Sequence, residues 1–489
     1  MKQSTLDFRS GIPAVLFVVV IAGCSNTNRT MSTAPIGPSA QAIPASLNIS
    51  DTPPAGVSIL RFQIQVTSAS LEPSNSSQTA VSMLSAPVTV ELEHLQSESA
   101  LLSNFNVPTG EYTSLTASFA NPQMTILNRS NATLTVGSQT CAANQVCTLT
   151  PTLNQSTVTD SAAPFPITVS SASAVAFLMH FDVNASVDED LSVSPTISLK
   201  ELPPLPSGAL EQFHVEGRIT GVDSTTSSFT LQTGFGHLSL AITANSSTQY
   251  EFGSACTADN FTCLVKGEVV RVGLSGMPGG MLVASRVELI APQGQPALEG
   301  VVIGVNSAQN EVQLVLMDFQ DDAQGHLAGG GMVCGLPLTV GFSSSTTFSI
   351  DADGITLPSG LSFGGINDMI VGQAFALQPV ISSLDVTGTP PTIQITFTAS
   401  NVRLESSEVT ATVEAVNSSS TFTLNGLPPL FTNATPAITQ IDVETVAGTD
   451  FENLTGVGAL SSGDTVSAGG LLFNTASGPL LVAERVLER

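Results

Sequence analysis

The chain has 489 residues, of which 39 are acidic and 13 basic, and its formal net charge at pH 7 is −26. Affinity for nucleic acid comes largely from cations that displace phosphate counterions, so this charge excludes a nucleic-acid partner. The sequence has no Trp and two Tyr, which disfavours a carbohydrate module that stacks sugars on aromatic rings.

The first predicted element is a lipoprotein signal peptide over residues 1–23. Lys2 and Arg9 make its start basic, and the apolar run IPAVLFVVVIA follows from Ile12. A helix of about 11 residues is ~16 Å long, about half of a bilayer core, so this run is typical of a secretion signal. The closing IAGC resembles the lipobox of bacterial lipoproteins, which implies cleavage before Cys24 and a lipid on its sulfur. An ordinary signal peptide with a cysteine at its cleavage site is the alternative.

Residues 24–46 are predicted to form a flexible tether, because they are polar, rich in Pro and free of aromatic rings. Ser25 follows the cysteine, whereas Asp at that position retains enterobacterial lipoproteins at the inner membrane. We therefore expect an exported protein held by its lipid on the outer membrane, with the body on the periplasmic or surface face.

Residues 47–200 are predicted to form a β-sandwich-like domain. The stretch RFQIQVTS places Phe62, Ile64 and Val66 on one face of an extended chain, and PVTVELEH and AVAFLMHFDV alternate in the same way. No window shows a convincing helical stripe. The fold class is therefore predicted to be all-β.

After the hinge LKELPPLPSG, the chain repeats three phrases in the same order. The opening phrase reads GRITGVDSTTSSFTLQT, then GVVIGVNSAQNEVQLVL, then ATVEAVNSSSTFTLNG. Each contains a turn residue that tolerates left-handed backbone geometry, namely Asp223, Asn306 or Asn417. About five strands per unit suit a small closed barrel, which removes exposed sheet edges. The predicted barrels are residues 209–293, 297–405 and 408–489.

These phrases resemble a bacterial domain of unknown function, 5666, which is considered OB-like. HVEGRITGVDSTTSSFTLQT and VKGEVVRVGLSG carry the resemblance, which is best over 213–290 and weaker in the two later units. Residues 47–200 resemble domain of unknown function 4382, through LNISDTPPAGVSILRFQIQVTSASL, VPTGEYTSLTASF and FLMHFDVNASV. The third unit departs from the pattern, since Ala411 replaces the usual glycine. Both resemblances imply an architecture and no activity.

The cysteines of the body form two close pairs and a single residue. In an exported chain, Cys141 with Cys147 and Cys256 with Cys263 are predicted disulfides, each contributing roughly 2–2.5 kcal/mol. Zinc is the alternative, but neither pair has CxxC spacing or a nearby histidine. Cys334, in GGGMVCGLPL, is predicted to be a buried thiol in a strand.

No catalytic site, metal site or cofactor is predicted. The sequence lacks HExxH, CxxC and CxxCH, so zinc hydrolase, thioredoxin-like and cytochrome c chemistry have no residues to use. Paired carboxylates for glycoside hydrolysis leave no local signature. The histidines lie on predicted strands or loops, at His94, His180, His214, His237 and His326.

Among metals, calcium has the most support from the sequence, at residues 182–193. DVNASVDEDLSV spaces oxygen-bearing side chains as in a calcium loop, but Val187 replaces the turning glycine and Val193 the bidentate glutamate. A simpler explanation of this spacing is that the polar side chains lie on the solvent-exposed face of a strand. An acidic turn likewise explains DADG at 351–354.

The leading functional expectation is a non-enzymatic, lipid-anchored envelope protein with a structural, adhesive or partner-binding role. Its expected partners are the membrane, through the lipid, and another envelope protein. A binding module for a polysaccharide or small ligand is the alternative, with a site at the insertions 321–331 or 351–365. An unrecognised hydrolase is third.

Overall fold

The computed structural model describes residues 42–51, 58–92, 100–129, 132–170, 175–188, 190–202, 214–233, 239–277, 281–320, 333–352, 355–387 and 392–488. Strands account for most of these residues, so the all-β prediction is confirmed. The α-helices of the described ranges are one-turn elements, α1 (Val183–Ser186) and α2 (Pro429–Thr432). No described helix is long and apolar enough to cross a membrane.

The N-terminal unit contains two main β-sheets. Its strands are β1 (Ala42–Asp51), β2 (Ile59–Pro73), β3 (Val81–Ser82), β4 (Val88–Glu91), β5 (Ala100–Pro108), β6 (Gly110–Leu127), β7 (Leu134–Val136), β8 (Gln139–Cys141), β9 (Val146–Leu149), β10 (Thr157–Asp160), β11 (Ile167–Val169), β12 (Val175–Phe181) and β13 (Ile197–Leu202). One sheet has the order β13-β12-β1-β5. The other has β10-β6-β2-β3, with β4 beside β2 and with β9 and β11 beside β6.

Aromatic rings join the two sheets into one core. Phe62 of β2 and Phe119 of β6 meet the ring of Phe181 from β12 edge-on, with centroids 6.1 and 5.5 Å away. Ile64 and Val66 are fully buried beside Phe62, as the period-two alternation predicts. Burying a side chain of this size contributes roughly 1.5–3 kcal/mol, so these alternating residues drive the sheets together.

The rest of the described chain forms three closed rings of five strands. Barrel 1 contains β14 (His214–Asp223), β15 (Ser228–Thr233), β16 (Ser239–Thr243), β18 (Val269–Met277) and β19 (Met281–Ala291), with β17 (Gln249–Glu251) added beside β19. Barrel 2 contains β20 (Ala297–Asn306), β21 (Glu311–Gln320), β22 (Pro337–Ile350), β23 (Ala374–Thr387) and the first part of β24 (Thr392–Val416). Barrel 3 contains the rest of β24, β25 (Thr421–Asn425), β26 (Ile441–Glu452), β27 (Thr465–Thr475) and β28 (Gly478–Glu488).

Each ring closes in the same way. The first strand pairs with the second and fourth, the fifth pairs with the fourth, and the third closes the ring by running parallel to the fifth. The closing pairs include Ile242 with Leu282, Val340 with Phe397 and Val443 with Leu481. This pairing order is a Greek-key barrel of the OB type.

One strand belongs to two barrels. Residues 392–405 of β24 pair with β22 and β23, while residues 406–416 pair with β25 and β27. The domain boundary expected between 405 and 408 therefore falls within a continuous strand. Ala411, which replaces the usual glycine of the repeat, lies in the same strand. Because a strand is stiff, barrels 2 and 3 have a fixed relative orientation.

Packing reinforces this arrangement. The buried Gln373 of barrel 2 donates from Nε2 to the Leu472 carbonyl of barrel 3 at 2.8 Å. One hydrophobic cluster runs through both barrels and includes Leu60 and Leu127 of the N-terminal unit. Lys200 of that unit also pairs with Glu452 of barrel 3 at 3.0 Å. The N-terminal unit and barrels 2 and 3 are thus one packed body.

Candidate functional site

A cleft of about 1050 Å³ lies where the N-terminal unit meets barrels 2 and 3. The N-terminal wall contains Arg129 and the loop before β9, and barrel 2 contributes the β20–β21 hairpin and the start of β22. The third wall consists of the segment before β26 and the β27–β28 turn. Because three units build it, the cleft exists only in the assembled body.

Hydrogen-bonding groups without charge dominate the polar lining. Among the described lining residues, Arg129 is the only basic side chain and Asp442 the only acidic one, and no aromatic ring lines the cleft. Primary amides are prominent, with Asn144, Gln145, Gln313, Asn367, Gln440 and Asn474. Such a surface recognises a polar ligand through paired donors and acceptors.

Arg129 is placed by the residue before it. Asn128 is buried and donates from Nδ2 to the carbonyls of Cys141 and Ala142, at 2.9 and 3.1 Å. These bonds fix the chain beyond β6, and the guanidinium then donates from Nη2 to the Ile303 carbonyl of barrel 2 at 3.2 Å. Burial lowers the pKa of Arg129, because desolvation disfavours the charged form. Its Nε is buried without a hydrogen-bond partner in the described ranges.

A predicted disulfide shapes the same wall. Cys141 and Cys147 are bonded, with Cα atoms 5.7 Å apart, and the loop they close contributes Asn144 and Gln145 to the cleft. Asn144 adopts a left-handed φ of 58° and donates its N–H to the Asn128 carbonyl at 2.6 Å. The cross-link therefore stabilises a loop that the cleft depends on.

The wall that barrel 3 contributes offers main-chain groups. Residues 437–440 follow α2 and have no regular secondary structure. Within the described chain their one backbone hydrogen bond runs from the Ile438 N–H to the Phe431 carbonyl, at 3.0 Å. Thr439 and Gln440 are exposed. A buried backbone must find partners within the protein, but this exposed segment keeps donors and acceptors available to a ligand.

A second feature is a charge cluster between barrels 1 and 2, formed by Arg271, Arg403, Glu216, Glu288, Glu299, Asp351 and Glu405. Arg271 of β18 donates to the buried Asp351, and its Nη2 lies 2.7 Å from Glu405 Oε2. Arg403 of β24 donates from Nε to Glu405 at 2.6 Å and from Nη1 to Glu288 of barrel 1. Each arginine therefore bridges the two barrels.

Carboxyl groups outnumber the cations of this cluster, and the pKa values reflect that excess. Burial raises the pKa of Glu405 from 4.5 to about 8, against the opposing effect of Arg271 and Arg403. Burial and the neighbouring Glu299 raise the pKa of Glu216 well above its ordinary value, and burial also raises that of Glu288. Glu405 thus favours the protonated form near neutrality.

Little in the sequence predicts this charge cluster. Asp351 is predicted to lie in an acidic turn, but the structure places it at 5% exposure against Arg271. The available signal was a charged residue within an apolar strand, as in VVRV around Arg271 and NVRLE around Arg403. Charges in such places are rarely buried unless paired, but the partners are distant in sequence.

The remaining predicted site residues lie away from the cleft. Cys256 and Cys263 form the second predicted disulfide, in barrel 1. Cys334 is buried, as predicted, but it lies in a turn before β22 rather than in a strand. Its place is set by the adjacent Gly335, whose φ of 85° makes the turn. Cys24 lies outside the described residues.

In the structure, carboxylates of the candidate calcium loop accept hydrogen bonds from the protein itself. Asp182 caps α1 by accepting the Ala185 N–H at 3.0 Å, so the stretch is a helical turn rather than a strand. Asp188 accepts from the hydroxyls of Ser192 and Ser194. Over the part of the chain that the structure describes, no group of three or more His, Cys, Asp or Glu residues is arranged to hold a metal ion.

The chain also contains a serine motif that the predictions above do not include. GLSFG at 360–364 has the GxSxG spacing of a serine nucleophile. That chemistry needs a sharp turn between a strand and a helix, whereas Ser362 is exposed in irregular chain between a turn and a three-residue 3-10 helix, Ile366–Asp368. The insertion 321–331 lies outside the described residues, and the cleft begins just after the second insertion, at Ile366.

Comparison with known proteins identifies two domains and no activity. No curated protein matches the chain. A crystal structure of a multidomain protein with nucleic acid binding domains, from Streptococcus pneumoniae TIGR4, aligns over 55% of this chain and 73% of its own, at 9% identity and a TM-score of 0.11. A likeness at that score carries no argument. The families described as "Domain of unknown function (DUF4382)" and "Domain of unknown function (DUF5666)" match residues 44–200 and 216–288. The chain therefore carries an N-terminal DUF4382 domain followed by a DUF5666 domain, as the sequence resemblance indicates.

Proposed function

We propose that the protein is a non-catalytic binding protein of the bacterial cell envelope, exported and anchored through lipid on Cys24. The observation that carries the binding role is the cleft of about 1050 Å³ built by three packed units. Ligand sites occur preferentially where domains meet, and this volume is at the upper end of their usual range. Its amide-rich lining suits recognition by hydrogen bonds.

The rigidity of the body supports the same role. A continuous β24, a shared hydrophobic cluster and the inter-barrel charge cluster hold the units in one arrangement. Preorganised walls lose little conformational entropy when a ligand binds. A tethered, rigid body can present such a cleft away from the membrane surface.

Binding is tested in intact cells with a photo-crosslinking residue. We place p-benzoylphenylalanine at Ser477, in the cleft-lining β27–β28 turn, and in a control strain at Ser247, on an exposed turn of barrel 1. Irradiation is expected to give a discrete adduct from Ser477 and none from Ser247. Equal adduct patterns from the two positions would refute a binding role for the cleft.

Anchoring is tested separately. Cells grown with an alkyne fatty acid are expected to label the wild-type protein and not Cys24→Ala, because alanine lacks the sulfur to which the lipid is attached. Several acyl chains hold a protein on a membrane far more firmly than one. Labelling of both proteins to the same extent would contradict the lipid anchor while leaving the cleft experiment unaffected.

A further inference from the structure

We infer that the cleft binds the C-terminal end of an extended, otherwise uncharged peptide, with its carboxylate at Arg129. This inference rests on the binding role proposed above and specifies the ligand class. Three features of the cleft point to it: a cation without a carboxylate, main-chain groups without partners, and a lining without rings.

The first feature is the state of Arg129. Two other partly buried arginines pair with acids, Arg286 with Glu251 at 2.7 Å and Arg485 with Glu452. The described chain gives Arg129 only the Ile303 carbonyl as a hydrogen-bond acceptor, so its positive charge has no compensating anion there. In a protein of net charge −26, a partly desolvated guanidinium without an acid is the natural position for a ligand carboxylate, which it can bind bidentately.

The second feature is the segment 437–440 of barrel 3, which also lines the cleft. Ala437, Thr439 and Gln440 are exposed, and the segment makes one backbone hydrogen bond among the described residues, from the Ile438 N–H. An extended peptide supplies complementary groups at regular intervals, as in the recognition of chain ends and strands by main-chain contacts. The side-chain amides of Asn144, Gln145 and Gln313 add donors and acceptors of the same kind.

The third feature is the distribution of apolar and charged residues. Ile303, Ile370 and Ile438 line the cleft between its polar groups, which suits aliphatic side chains of a peptide. No ring lines the described walls for a sugar face to stack on. Asp442 is the single lining acid, so a peptide with several charged side chains would find few partners.

The test measures retention of defined peptide pools by the full mature protein, produced with both disulfides formed. One pool contains random hexapeptides of Ala, Ser, Thr, Asn and Val, acetylated at the N-terminus and ending in a free carboxylate. A second pool is identical but ends in an amide. Equilibrium dialysis followed by mass spectrometry is expected to show a subset of the first pool bound at least tenfold more tightly than its amide counterparts.

Variants separate the guanidinium from general charge. Arg129→Met is expected to weaken binding of the retained peptides by about 10- to 100-fold, the range for losing a charge-assisted hydrogen bond. Lys266→Met removes one exposed charge from barrel 1 and is expected to leave binding unchanged. Circular dichroism melts of the variants check the fold, and Arg129→Lys, which keeps the charge, is expected to retain part of the affinity.

Three results would overturn the inference. The first is that the carboxylate and amide pools are retained equally, and the second is that the wild type and Arg129→Met retain the peptides equally. The third is that no peptide is retained while a neutral glucose hexasaccharide is. An adduct at Ser477 in cells with no peptide retained would reject the ligand class and keep the binding role. Loss of the adduct with peptides retained would reject the cellular role alone.

Discussion

Glu405→Gln is a direct test of the inter-barrel charge cluster. The side chain of Glu405 is 8% exposed and contacts Arg271 and Arg403. Its pKa of about 8 means that it is largely protonated in the folded protein below neutral pH. Glutamine has the shape of that protonated form and does not titrate, so the variant isolates the cost of ionising this carboxyl.

The sign of the effect follows from the direction of the pKa shift. A carboxyl whose pKa is 4.5 when unfolded and about 8 when folded binds more protons in the folded state between those values. Its stabilising contribution is complete below pH 4.5 and is lost as the pH rises toward 8. Between pH 6 and pH 8 the expected loss in unfolding free energy is about 2 kcal/mol, at 1.36 kcal/mol per pKa unit.

The assay is urea unfolding of the mature chain at pH 6, 7 and 8, followed by circular dichroism. The wild type is expected to lose about 2 kcal/mol more than Glu405→Gln across this range. Glu311→Gln, a half-exposed site on β21 of the same barrel, is the control and should follow the wild type. Identical pH dependence of Glu405→Gln and the wild type would refute the reasoning.

Three further predictions concern the packing of the units. Gly372→Ala would place a Cβ 2.2 Å from the ring of Phe431, at a φ of 92°, whereas Gly360 has a φ of 91° and open space; thermal melts should therefore show Gly372→Ala costing about 1–3 kcal/mol more than Gly360→Ala. Opening the first disulfide by Cys147→Ser is expected to cost about 2 kcal/mol in urea unfolding, and an unchanged midpoint would argue against the cross-link. Residues 209–293 expressed alone in an oxidising compartment are expected to melt cooperatively, because barrel 1 closes its own ring; a non-cooperative melt would show that barrel 2 is required.

Local pattern made much of this protein predictable. The period-two alternation at Phe62, Ile64 and Val66 indicates both the strand and its buried face, because successive side chains of a strand point to opposite sides. Short polar turn residues mark the hairpins in the same way, and Asp223 indeed accepts the Thr225 N–H at 2.9 Å. Cysteines six and seven residues apart are close in any loop, so both disulfides were accessible from spacing.

The assembly of the units was decided by tertiary structure. Arg271 meets partners 80 and 134 residues away in sequence, Asp351 and Glu405, and Arg129 reaches the carbonyl of Ile303 from 174 residues away. Periodicity identifies strands, but it does not show that a single strand belongs to two barrels. The predicted repeat boundary near residue 406 therefore gave no indication that β24 is continuous there. The sequence determines faces and turns because those depend on neighbours along the chain, whereas the cleft depends on how completed sheets pack, which no local window contains.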